Sequence, residues 1–538
     1  MAGGHDTWPW WKDGVIYQIY PRSFRDSNAD GVGDIPGIIQ MLDYLEWLGV
    51  DALWLSPINT SPMYDFGYDI SDYRGIDPLF GTLEDFDRLL ALAHRRGIRI
   101  ILDMVVNHTS HLHPWFIESR SSRDNPKRDW YIWHDGKNGK PPNNWRAVFG
   151  GRAWEWDEQT RQYYYHSFLK EQPDVNWRNP RLREAVFDEM RYWLDRGVDG
   201  FRLDAVSWYM KDERFRDNPC GWGPNAPRPY DLQKHVYDQN RPETHEVLRL
   251  MRVVIDEYPE RMMVGETYAE PPGDPTIAAS YYGDGTDELH LAFDFSTIFI
   301  PFRADAIRRC LSRWYEAVPP KGWPCIVFNN HDQIRSVSRW RPGRDAAKAV
   351  ATILLAARGT PFLYYGEEIG MKNGRIKRRE ICDPLGKRYW PFNKGRDPER
   401  TPMQWSAEPN AGFSDASPWL PVNDDYRDVN VACQKEDPSS ILHYYRSLIQ
   451  LRRSRQPLRR GSIEWVDADA DVVSFTRVYE GDRIFVAVNC SRKAKRIRLA
   501  PHSLRVLLGS HGETGGEMAG ESVALAPYGA LVLENISQ

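Results

Sequence analysis

The feature that most restricts this chain is a repeat in its texture. Short apolar, β-rich runs recur eight times: VIYQIYP (15–21), ALWLSP (52–57), RIILDMVVN (99–107), GFRLDAV (200–206), MMVGETY (262–268), LAFDF (291–295), CIVFNNHD (325–332) and FLYYGEEIG (362–370). Between them lie stretches with apolar residues at helical spacing, among them LEDFDRLLALAHRRG (83–97), PRLREAVFDEMRYWLDRG (180–197), ETHEVLRLMRVVIDEYPE (243–260) and AAKAVATILLAARG (346–359), several of which close on glycine. Alternation sustained through eight strands predicts an α/β fold, a (β/α)8 TIM barrel with its functional residues at the C-terminal ends of the strands. An open, doubly wound parallel sheet uses the same alternation and is the alternative.

Two gaps are too long for simple connections. Residues 109–176, between the third and fourth runs, are rich in Trp, Tyr, Gly, Asn and Pro and predict a small inserted domain; a second excursion spans 371–425. Past residue 460 the texture changes to alternating runs such as VVSFTRVY and DRIFVAVN, which predict a compact antiparallel β domain over 461–538. The barrel therefore takes 1–108 and 177–460. The basic run LRRSRQPLRR (451–460) follows a helical stretch, where cations at a helix C-terminus account for it better than a nucleic-acid patch.

Charge excludes little except polyanion binding: 70 Lys+Arg against 75 Asp+Glu give a net −5. The first twenty residues lack a basic segment followed by an apolar one, and the longest apolar stretch, AVATILLAA (349–357), is far short of a membrane span, so a cytoplasmic protein without membrane or nucleic-acid partners is expected. Six cysteines without CxxC spacing fit reduced thiols. The 22 Trp and 27 Tyr suit either packing or stacking on sugar rings.

Carboxylates gather at the predicted strand ends. In GFRLDAV, period-2 alternation puts Arg202, Asp204 and Val206 on one face and Phe201, Leu203 and Ala205 on the other. A guanidinium beside Asp204 should keep that carboxyl ionised with a low pKa, as a nucleophile requires, while Glu266, after Met262, Met263 and Val264, sits where apolar surroundings should hold a proton. Asp332 closes the seventh run beside His331. Three carboxylates at one barrel mouth fit glycosidic cleavage by an acid and a nucleophile.

DMVVNH (103–108), GFRLDAVSW (200–208), GETY (265–268) and FNNHD (328–332) resemble, in order, the four short regions shared by the α-amylase family of glycoside hydrolases, and QPDVNW (172–177) is similar to the segment that marks its α-glucosidase and oligo-1,6-glucosidase branch. The resemblance implies Asp204 as nucleophile, Glu266 as general acid/base and Asp332 as the third carboxylate. It implies that His108 and His331 bind the innermost sugar, that Arg202 supports the nucleophile, and that Asp65 and Tyr68 of DFGYD hold the terminal glucose, with Arg400 of RTPMQW paired to Asp65. Phe149 and Phe168 of the inserted domain are expected to line the pocket, and Asp103 to brace Arg202. Ala205, next to the nucleophile, stands where related enzymes that favour α-1,6 bonds tend to carry Val, which points to α-1,4 preference.

DSNADGVGD (26–34) places Asp26, Asn28, Asp30, the Val32 carbonyl and Asp34 at alternate positions, as in a calcium loop, although position 12 is Gly37 rather than Glu. A structural Ca2+ (or Mg2+) is expected, as the branch also implies; a solvated acidic turn is the alternative. The reading is an exo-acting retaining α-glucosidase that releases terminal non-reducing α-1,4-linked glucose from maltose and short oligosaccharides, with transglucosylation, acting as a monomer or weak homo-oligomer. Rivals are an oligo-1,6-glucosidase, a sucrose- or trehalose-acting transferase or isomerase, and, from another class, a non-catalytic partner of a membrane transporter.

Overall fold

The computed structural model describes residues 8–221, 228–269, 273–498, 504–515, 517–518 and 522–535. All eight predicted runs form strands, shorter than the apolar runs that announce them: β1 Ile16–Ile19, β2 Ala52–Leu55, β3 Arg99–Met104, β4 Gly200–Leu203, β5 Met262–Gly265, β6 Leu291–Ala292, β7 Cys325–Val327 and β8 Thr360–Tyr364. They pair in parallel in the order β6-β5-β4-β3-β2-β1-β8-β7. Apart from β6 and β7, each strand neighbours the next in the chain, and β1 pairs with β8, an order that excludes the doubly wound alternative. No ladder joins β6 to β7 among the described residues; instead the Cys325 thiol donates to the Ala292 carbonyl at 3.0 Å, and Thr297 Oγ1 donates to the Val327 carbonyl at 2.8 Å.

Alternation sorts the side chains. Ile16, Trp54, Ile101, Val264, Val327 and Phe362 pack inside the barrel, while Tyr17, Leu53, Ile100, Leu203, Met263 and Leu363 join the larger cluster under the helices. The helices carry the termini their sequences announce. Thr82 and Asp85 form a capping box before Leu83–Arg95, and Asn179 caps Pro180–Arg196, which ends on Gly197 at φ 106°.

Within 109–176 a three-stranded antiparallel sheet joins Trp133–His134, Gln162–Tyr165 and Trp154–Asp157. A second small hairpin, Asn59–Thr60 with Asp72–Ile76, was not expected from the sequence. At the C-terminus, Ser462–Trp465, Val472–Tyr479, Asp482–Asn489, Ala530–Asn535 and Leu504–Gly509 are consecutive in one antiparallel sheet. Its central hairpin turns on Glu480 and Gly481, at φ 49° and 94°. The basic run serves this junction. Arg452 donates to the Leu355, Gly359 and Leu458 carbonyls, and Arg477 to those of Ala356, Ala357 and Leu458, so the cations satisfy the end of helix Ala347–Ala356.

The acidic loop at 26–34 is closed by its own amides. Asp26 accepts from the N–H groups of Asn28, Ala29 and Gly31 and from Ser414 Oγ; Asn28 accepts from the Asp30 N–H, Asp30 from the Val32 N–H, and Asp34 caps helix Ile35–Gln40 through the Gly37 N–H. Its donors are all oxygen, the chemistry a hard cation takes. Among the described residues no three His, Cys, Asp or Glu side chains converge as a ready metal cage. All six cysteines are free, and no helix among the described residues is long and apolar enough to cross a membrane.

Candidate active site

One guanidinium organises the floor of the barrel mouth. β4 lies between β3 and β5 with Arg202 in register with Asp103 and Val264, which sends its side chain inward against Trp54, whose ring centroid is 5.2 Å away. From there Nη1 donates to Asp103 Oδ1 at 2.7 Å and Asp204 Oδ1 at 2.6 Å, and Nη2 pairs with Glu266 Oε1 at 2.8 Å. Asp103 thus braces Arg202, as expected. Glu266 Oε2 accepts the Ala205 N–H at 3.1 Å. Two carboxyls tethered to the two Nη atoms of one planar group stand close together, and double displacement uses a separation of about 5–5.5 Å.

Strand alternation fails after Asp204. Ala205 has φ 48°, so the chain leaves β4 in the left-handed region, and Val206 packs with Phe201 and Leu203 instead of facing the side of Arg202. Ala205 turns instead towards Trp208 and Tyr230.

The electrostatics correct one expectation. Burial raises Asp204 to about 7, against the pull of Arg202, so its pKa is not low. Burial raises Glu266 further, to about 8, and Asp103 to about 6. Asp332 is the opposite case: burial raises it, but His331, Arg396, Arg400 and Arg202 outweigh that and hold it far below the ordinary range. At the mouth, Glu266 therefore keeps its proton longer than Asp204, while Asp332 is firmly ionised.

Asp65, Tyr68, His108, Phe149, Phe168, Asp204, Glu266 and Asp332 line one cavity of about 400 Å³. Four expected contacts lie behind its wall. Arg202 is 1% exposed, Ala205 1%, and His331 and Arg400 are fully buried. Both His331 nitrogens are engaged, Nδ1 with Gln18 Nε2 at 2.7 Å and Nε2 with the Tyr68 hydroxyl at 2.6 Å, and its ring stacks at 3° on Tyr68. From behind the wall it orients Tyr68. Arg400 does not pair with Asp65: it donates to Asp332 Oδ1 at 2.6 Å and to the His331 carbonyl at 2.7 Å. The partner of Asp65 is Arg396, 2.6 Å away, which also reaches Asp332 Oδ1 at 3.2 Å and lies over the Phe149 ring at 4.8 Å.

His108 faces the cavity as a neutral imidazole, its pKa lowered to about 4 by burial. The QPDVNW segment sets it in place: Gln172 Nε2 lies 3.1 Å from His108 Nε2 and donates to Asp65 Oδ2 at 3.2 Å, while Asp174 accepts from Asn107 Nδ2 at 3.0 Å. Sequence reasoning missed Arg396, Gln172 as a side chain, and an aromatic arc in which Phe168, Trp208, Tyr268 and Phe295 follow one another at 5.0–5.7 Å between ring centres. The signal for Arg396 was its place in GRDPER, beside Arg400 on the same excursion.

The profile of the alpha-amylase catalytic domain matches residues 18–461. A probable alpha-glucosidase of Rhizobium meliloti is 45% identical, covering 97% of this chain and 96% of the relative, and an oligo-1,6-glucosidase of Parageobacillus thermoglucosidasius is 43% identical with 92% of each covered. Among solved structures, the alpha-glucosyl transfer enzyme XgtA superposes with a TM-score of 0.93 at 42% identity, and the trehalulose synthase MutB of Pseudomonas mesoacidophila MX-45 with 0.89 at 37%, each covering 98% of this chain and 100% of the other.

Proposed function

Because the chain belongs to the alpha-amylase catalytic-domain family and is a glycoside hydrolase of the α-glucosidase type, we propose that it removes single glucose units from the non-reducing ends of short α-1,4-glucosides with retention at the anomeric carbon. The observation that carries this reading is the Arg202 fork, which binds Asp204 and Glu266 at the base of a cavity walled by the Asp65–Arg396 pair. Asp204 attacks the anomeric carbon as Glu266 passes its proton to the leaving oxygen; a glucosyl ester on Asp204 results. Glu266, now ionised, takes a proton from water, which opens the ester by a second inversion. Asp332, ionised throughout, stabilises the positive charge that develops on the sugar ring. An acceptor sugar in place of water gives transglucosylation.

The Asp65–Arg396 pair stands in the cavity wall, where it would meet a terminal sugar, which supports exo action. Linkage preference rests on Ala205, which packs with Trp208, Tyr230 and Tyr268, three residues of the cavity lining. Valine there adds two methyl groups at a left-handed backbone position, a crowding worth about 1–3 kcal/mol between linkages. We also assign the 26–34 loop a structural Ca2+ or Mg2+, on the strength of its all-oxygen donor set, with no step of catalysis passing through it.

Incubation with maltose, isomaltose, sucrose, trehalose and starch, with products resolved over time, tests the reading. Early release of α-glucose from maltose, little action on starch and lower kcat/KM for isomaltose are expected. A rapid fall in starch viscosity would overturn exo action, and a preference for isomaltose would overturn the linkage assignment.

A further inference from the structure

At the other end of the barrel, Trp8, Lys12, Lys321, Trp323, Arg358 and Arg460 border a basin of about 610 Å³. Trp323 and Arg358 come just before the starts of β7 and β8, so this basin opens on the N-terminal face, whereas Glu266 and Asp332 follow the C-terminal ends of their strands. The lining includes four cations and no carboxylate among the described residues. Lys321 and Arg460 are ion-paired outside the lining, with Asp284 at 3.0 Å and Asp13 at 2.9 Å. Arg358 lies 4.9 Å over the Trp323 ring with no carboxylate paired to it among the described residues.

The two tryptophans meet edge to face, 5.3 Å apart at 89°, and Lys12 and Arg460 each stand 5.3 Å over the Trp8 ring. Both indole N–H groups are buried without an acceptor among the described residues, and Trp323 is only 4% exposed. A native structure seldom leaves buried donors unpaired unless a ligand, ion or water supplies the oxygen. Here the two indole donors and the Arg358 guanidinium ask for the same thing, an oxyanion with several acceptor atoms.

We infer that this basin binds a sugar phosphate, its phosphate held by Arg358 and the indole N–H groups. A phosphate monoester supplies three acceptor oxygens and close to two charges, which suits the donors better than a carboxylate, and a basin of about 610 Å³ has space for the sugar beside it. The site is separate from the catalytic cavity by the length of the barrel.

Isothermal titration of the full chain with glucose 6-phosphate, inorganic phosphate and glucose decides the matter, each repeated with saturating glucose to fill the catalytic cavity. Glucose 6-phosphate should bind one saturable site per chain whether or not glucose is present, and more tightly than inorganic phosphate. Arg358→Gln should weaken it by about tenfold or more. Trp323→Phe, which keeps a ring and removes the N–H, should weaken it several-fold, and decides alone if the arginine variant does not fold. Binding abolished by saturating glucose, unchanged in both variants, or no tighter than inorganic phosphate would overturn the inference.

Discussion

Asp204 and Glu266 share one guanidinium yet need opposite protonation states, and burial separates them by raising Glu266 to about 8 and Asp204 to about 7. The dependence of kcat/KM on pH should therefore be a narrow bell, falling below about pH 7 as Asp204 gains a proton and above about pH 8 as Glu266 loses its own. Rates measured from about pH 5 to 10 check this, and a profile flat below pH 7 would contradict it. Asp204→Asn should cut turnover by several orders of magnitude while the protein still melts in one cooperative transition. Stability is linked in the same way. A carboxyl with a folded pKa near 8 and an unfolded value near 4.3 contributes stability that is lost as pH rises between the two, so Glu266→Gln should gain melting temperature relative to the parent as pH increases, with the difference levelling above about 8. Thermal melts across that range decide it. The carboxyls themselves were legible because strand ends announce them. Their partners were not: Arg396 and Arg400 lie four residues apart on an irregular segment, where no periodicity says which of them turns towards Asp65. The Asp204 pKa was misread because one favourable ion pair was weighed without the cost of burying the carboxyl beside Asp103 and Asp332.

Each of the eight strands was visible as an apolar run, because strands buried on both faces read that way. Their ends were less so: Ala205, with its left-handed φ of 48°, stops β4 with no glycine or proline to mark it. The Asn59–Thr60 and Asp72–Ile76 hairpin escaped notice because its strands are short and half polar. The seam between β6 and β7 holds a further element-level test. Cys325→Ala removes the thiol donor to Ala292 and leaves a small cavity inside the barrel, and should destabilise the fold by about 1–3 kcal/mol without altering kcat, as read from denaturant melts and steady-state rates. For the 26–34 loop, chelator should lower the melting temperature and Asp30→Ala should abolish that sensitivity while activity persists. A chelator-insensitive melt of a metal-free protein would favour the solvated acidic turn.

Changes of texture near residues 109, 177 and 461 suggest where the chain divides, but they say nothing of how the parts are joined. Arg477 is fully buried, donates to three carbonyls across the junction as well as to its own domain, and burial lowers its pKa to about 9. Arg477→Met should cost about 3 kcal/mol or more by leaving those carbonyls unpaired, and should lower a single melting transition for barrel and C-terminal domain together; two separate transitions in the parent protein would contradict a shared junction. The catalytic cavity is itself composite. Its floor belongs to the barrel, whereas Phe149 and Phe168 come from the inserted domain and Arg396 from the 371–425 excursion. Those roof segments contribute no strand to the barrel, so they can accept replacement, insertion or shortening at little cost to folding. In lineages built on this plan, taste in substrates is thus free to drift at the roof while the bond-breaking step is inherited unchanged from the floor.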